Sequence, residues 1–232
     1  MDGALGHQLG TADLAICATT ILTLIRVGHF FSFQKTLGLI MMNLDDVLER
    51  WIPYRLQAIE TLRFAWDWLG ESEEPRAVQV LVEGKPVLGC NVAAIANPMI
   101  EVGVVHARAL LEFLGLAVKK GRLAQVQHRL PGDIAIEHYS TAGQELAKVS
   151  PEQVYEAYDG PREEAESAIV AIFEFANKLT AHITDGAFSG AWTDRHLDIA
   201  CRGIPVLLNN HLYVKLGRTP PPAPSAIPQR LA

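Results

Sequence analysis

The order of apolar and polar positions divides the chain into helical segments separated by short, turn-rich stretches. Residues 12–42 are mostly apolar and read as one or two helices, broken near Gly28 and Ser32. Asn43, followed by Asp45 and Asp46, is a helix start, because its amide can cap free N–H groups and the helix dipole favours acids in the first turn. Val47, Leu48, Trp51, Leu56, Ile59, Leu62, Phe64 and Trp68 then recur at helical spacing, which predicts a helix to about Leu69 with a kink or restart at Pro53. Residues 77–89 change period. Val78, Val80 and Val82 alternate with Gln79 and Leu81 before Glu83-Gly84, and this predicts a short β-hairpin.

A second long helix is predicted from about Ala93 or Pro98 to Lys120, closed by Lys119-Lys120-Gly121. Residues 121–149 are mixed, with Pro131-Gly132 as a turn. Ser150-Pro151-Glu152 supplies an N-cap, a proline in the first turn and an early acid, so a short helix to about Tyr158 follows. Residues 161–183 form a strong helix opening on Glu163, Glu164 and Glu166. A last helix runs from about Asp194 to Leu216, kinked or broken at Pro205. Together these elements predict an all-α bundle of five or more helices with a small hairpin insertion. It is organised as an apolar helical arm (1–43), a bundle domain (44–216) and a disordered proline-rich tail (217–232).

Composition narrows the function classes. Hydrophobic residues make up 49% of the 232 positions and charged residues 20%, enough for a sizeable core. The net charge of −6 argues against a nucleic-acid coat protein or a polybasic membrane binder. The cysteines Cys17, Cys90 and Cys201 are far apart, which argues against a disulfide framework and suits the cytosol. The uncharged run 14–25 is short for a membrane span, and Glu101, His106, Arg108 and Glu112 interrupt the apolar stretch 99–118. The expectation is a cytoplasmic protein with no membrane role and no cofactor. No zinc-protease, nucleophile-elbow, dinucleotide-binding or P-loop pattern occurs, and the scattered histidines predict no metal site.

Candidate chemistry clusters on two helices. On helix 99–118, Glu101, Val105, Arg108 and Glu112 share one stripe, with Arg108 and Glu112 at i,i+4 spacing. His106 falls away from that stripe beside Val102, Leu110 and Phe113, where burial would keep it neutral. It is either a core histidine or a neutral imidazole held near a site. On helix 161–183, Glu174, Lys178 and His182 share a flank. His182 is either a helix-end histidine favoured by the dipole or an acid/base group beside a cation. Arg122, His128 and Arg129, close to Gly121 and Pro131-Gly132, read as a solvated basic loop. Trp51, Trp66, Trp68 and Phe64 read as core or interface residues.

HARALLEFLGL (106–116) followed by NKLTAHIT (177–184) resembles a family of uncharacterised bacterial helical proteins. DIAIEHYS (133–140) is similar to the acidic connector of that family, and HLDIACRGIPVLL (196–208) to its closing helix; the likeness covers about 95–216. The segment around Asn177 is in turn similar to the arginine–histidine region of HEPN proteins, helical bundles of which many are dimeric toxin or antiphage ribonucleases. The resemblance implies a HEPN-like bundle in which His182 assists attack by a ribose hydroxyl. The arginine positions of that pattern hold Phe175, Ala176 and Asn177 here, so Lys178, or Arg108 from the facing helix, would supply the positive charge.

Two function classes follow. The first is a helical interaction module, a catalytically degenerate relative of the HEPN proteins, forming a homodimer through its apolar helices. The second is a metal-independent ribonuclease acting on RNA. Its catalytic residues would be His182, Lys178, Arg108 and His106, with Asn177, Thr180 and Glu112 as binding residues. Both readings place helices 99–118 and 161–183 against each other, with His106 toward the Asn177–His182 segment.

Overall fold

Asn43 does cap a helix: its side chain accepts from the Asp45 N–H, and helical backbone runs from Leu44. The turn Val47–Trp51 is a π-helical turn, and α1 follows as Ile52–Gly70. Pro53 explains the wide turn, because its ring would crowd the Glu49 carbonyl in regular α-helix and it has no N–H to donate. The computed structural model describes residues 43–70, 74, 76–177 and 193–222. The expected arm up to residue 42 and the tail from residue 223 lie outside the described residues.

The first hairpin forms as expected. Strand β1 (Ala77–Val82) pairs antiparallel with β2 (Lys85–Asn91). Glu83 (φ 51°) and Gly84 (φ 76°) make the two-residue turn, both in the left-handed region that such hairpins require. Asn91 ends β2 and caps α2 (Val92–Phe113), accepting from the Ala93 N–H.

The expected helix to Lys120 is corrected here. It stops at Phe113, because Gly115 (φ 94°) reverses the chain. Leu116–Lys119 is instead strand β3, paired with β4 (Arg122–Gln125) across Lys120-Gly121, the dipeptide that sequence reading took for a helix end. A third hairpin joins β5 (Ser140–Thr141) to β6 (Gln144–Glu145) through Ala142-Gly143. Among the described residues there are thus three separate two-stranded antiparallel sheets. The all-α, HEPN-like bundle is therefore overturned in favour of a mixed α and β fold. Each added hairpin carries the same signal, a short apolar or polar run, a residue at positive φ and a glycine.

Three further helices complete the described fold. In α3 (Pro151–Glu156), Ser150 caps and Gln153 returns the bond, as the Ser-Pro-Glu start predicts. Next come α4 (Arg162–Phe175) and α5 (Asp194–Leu208), which contains Pro205 and continues into a π-helical turn, Asn209–Tyr213. The main core joins Ile59 and Leu62 of α1, Val104 and Leu111 of α2, Ile172 of α4 and Ile204 of α5, all buried, to Leu116 of the second hairpin. Gly103 permits the close approach of α1 and α2, because a Cβ there would collide with the Leu62 side chain and the Ala58 carbonyl. Tyr213 donates to the Leu48 carbonyl and Tyr139 to the Leu44 carbonyl, tying both to the start of the described chain.

Candidate functional site

Helix α2 presents its two candidate side chains to different neighbours. Arg108 faces α4. Its Nε donates to Glu112 Oε1 at 2.9 Å, its Nη1 donates to Asn177 Oδ1, and its guanidinium lies 6.0 Å from the Phe173 ring centre. Arg108, Glu112 and Asn177 therefore meet, as the pairing of the two helices predicted. The arginine is already engaged by a carboxylate and an amide oxygen. Lys178, Thr180 and His182 lie outside the described residues.

His106 does not join the Arg108–Asn177 cluster; it was expected to turn toward the Asn177–His182 segment, of which the part beyond Asn177 lies outside the described residues. Two residues before Arg108, it points instead at α1. Arg55 Nη1 lies 2.9 Å from His106 Nδ1, and the Tyr54 ring stands edge-on at 5.2 Å between centroids. A guanidinium only donates, so Nδ1 accepts and the neutral ring carries its proton on Nε2. Desolvation by burial, then the Arg55 charge, lowers the pKa of His106. The sequence reading foresaw a neutral imidazole but not its partner, which is 51 positions away.

Arg55 is the functional candidate that sequence reasoning missed. Arg63, Arg108, Arg122, Arg129, Arg195 and Arg202 each meet a carboxylate. Arg55 meets His106 and, among the described residues, no carboxylate. It is half-buried, and desolvation lowers its pKa, although an arginine stays charged at any ordinary pH. It borders a cavity of about 420 Å³ lined by Val47, Trp51, Ile52, Leu110, Phe113 and Ile134, with Asp133 also in the wall. A single helical arginine carries no recognisable motif, so only the contact across α1 and α2 reveals it.

The expected solvated basic loop is also revised. Arg122 pairs with Glu166 from strand β4. Arg129 is largely buried: it forks onto both carboxylate oxygens of Glu137 at 2.9 Å and donates to the Glu112 carbonyl in the last turn of α2, which also accepts from the Gly115 N–H. Of the cysteines, Cys201 is buried, and burial pushes its thiol up to about 12, which holds it protonated and unreactive at neutral pH. Among the described residues no group of three His, Cys, Asp or Glu side chains converges as a metal site would require.

The surface has one more distinctive region. On the first hairpin Leu81, Val82, Val87 and Leu88 are 54%, 55%, 59% and 48% exposed. On the neighbouring α2, Val102 and Val105 are also exposed. That helix is long and apolar enough to cross a membrane by length and composition, and nine of its residues are buried inside the protein.

No family model, curated protein or solved structure matches this chain.

Proposed function

We propose that the protein is a non-enzymatic interaction module that self-associates through strand β1. The observation that carries this reading is the exposed apolar hairpin. A two-stranded hairpin alone is marginal in water, and this one offers large aliphatic side chains to solvent where polar ones would cost nothing. Its two edges are unequal. The β2 edge carries Lys85 and Pro86, which discourage pairing, whereas Ala77–Val82 has neither charge nor proline. A second copy is the occupant best suited to that edge. Antiparallel pairing of β1 with β1 about a two-fold axis at Val80 sets Val78–Val82 of one copy against Val82–Val78 of the other, an uncharged contact that is self-complementary.

The placement of Arg108 favours this reading over RNA cleavage. A guanidinium held by Glu112 and Asn177 is neutralised where a phosphate would need it. Sedimentation of the full chain tests the proposal. The wild type is expected as a dimer and Leu81→Lys as a folded monomer by circular dichroism. A folded, monomeric wild type refutes self-association, and cleavage of RNA by purified wild type that His182→Ala abolishes refutes the non-enzymatic reading.

A further inference from the structure

A site independent of that interface lies between α1, α2 and the turn at Gly132-Asp133-Ile134. We propose that the cavity bordered by Arg55 is a binding site for a small monocarboxylate with an aromatic or branched apolar body.

Three observations carry this. The first is the unbalanced cation. Burying a guanidinium away from water is costly unless an acceptor meets it, and the other arginines described above with ion pairs have one. Among the described residues the hydrogen-bond acceptor that Arg55 has is the Nδ1 of a neutral imidazole, which uses a single N–H of Nη1. The remaining N–H donors form the planar fork that matches a carboxylate.

The second is the wall. Trp51, Leu110, Phe113 and Ile134 give the open cavity an apolar side opposite its polar one, and about 420 Å³ lies within the range of small-molecule sites. An inorganic anion would leave that wall wet, whereas a carboxylate on a hydrophobic body uses both the cation and the wall. The third is Asp133. Its carboxylate accepts from the Leu130 N–H at 2.9 Å and stands in the same lining. With Arg55 and Asp133 both in the wall, the site has no surplus positive charge, so a monoanion held by the Arg55 fork is opposed less than a phosphate dianion would be.

His106 is a positioning residue here. Its Nδ1 holds Nη1, so the rest of the guanidinium is oriented before a ligand arrives, and ordering on binding is reduced.

Calorimetric titration of the full chain tests the site with three probes of similar body: 3-phenylpropanoate, 3-phenylpropanamide and phenyl phosphate. Two variants accompany the wild type, each checked for folding by circular dichroism. Arg55→Met removes the charge. Ala109→Leu fills the cavity from α2 without touching the cation, and it keeps the test decisive if the arginine variant fails to fold. Saturable binding of the carboxylate is expected, with the amide at least about tenfold weaker, since charge-assisted bonds exceed neutral ones. Both folded variants are expected to bind the carboxylate at least about tenfold more weakly. Absence of saturable carboxylate binding to folded wild type overturns the proposal. Equal binding of acid and amide, undiminished binding by folded Arg55→Met, or tighter binding of phenyl phosphate does the same. Loss of dimerisation in Leu81→Lys leaves this outcome unchanged, so the two proposals fail separately.

Discussion

Hairpins β1–β2 and β3–β4 close through turns of the same chemistry, Glu83-Gly84 and Lys120-Gly121, with all four residues at positive φ. One stands in solvent and the other is part of the core. Leu116 and Leu123 of the second hairpin are buried, whereas Leu81 and Leu88 of the first are about half exposed. The difference lies in what each strand meets. The second hairpin has backbone and side-chain ties on both sides: Val126 N–H donates to the Gly115 carbonyl, and Glu166 of α4 accepts from both the Leu123 N–H and Arg122. The first is fastened chiefly at its base, where Val92 N–H donates to the Arg76 carbonyl. Local turn chemistry builds a hairpin, and only neighbouring elements determine whether its apolar residues become core or interface.

Substitutions at matched positions sharpen this contrast. Leu116→Ala empties a fully buried position and is expected to cost about 2–5 kcal/mol in chemical denaturation. Gly115→Ala comes next. It forces a side chain into positive φ and onto Lys148 Cβ, 2.6 Å away, with an expected loss of about 1–3 kcal/mol by the same measurement. Gly84→Ala at the exposed turn has positive φ but open space around it, so it is expected to cost about 1 kcal/mol. Leu88→Lys should shift the thermal midpoint of the dilute monomer least, by the equivalent of no more than about 0.5 kcal/mol. A loss from Leu88→Lys as large as that from Leu116→Ala would show that the first hairpin is also core.

Acid titration probes a tie that only the buried side possesses. Desolvation alone would raise the pKa of Glu137, but the Arg129 fork, with Lys148 behind it, outweighs burial and holds it below the ordinary carboxyl value. Its contribution to stability is therefore present above the unfolded-state pKa, near 4.5, and is lost as pH falls through the lower folded value. Denaturation curves between neutral and acid pH should show wild type losing this increment and Glu137→Gln lacking it. His106 has the same sign: its stabilising contribution is present above its unfolded pKa of 6.5 and declines as pH falls through the depressed folded value. Its protonation would also break the Arg55 bond at Nδ1.

Much of the local framework was legible in the sequence. The Asn43 and Ser150 caps, the Glu83-Gly84 turn and the Arg108–Glu112 pair all depend on residues within a few positions of one another, and each appears as expected. The second and third hairpins were obscured because Lys119-Lys120-Gly121 serves equally as a helix end, and because strands of four or two residues show too few alternations to reveal a period. Helical spacing showed that His106 and Arg108 point apart, but not what each would meet.

The sequence by itself determined where helices start, which faces are apolar and which charged pairs lie on one turn. Those features are set by backbone sterics and by side chains that are neighbours whatever the rest of the chain does. Only the tertiary structure decided that Arg108 meets Asn177, that Arg55 meets His106 and, among the described residues, no carboxylate, and that one hairpin is buried while another is not. These outcomes depend on which helix faces pack together across tens of residues, and that packing is settled by the shape and burial of the whole core rather than by any local pattern.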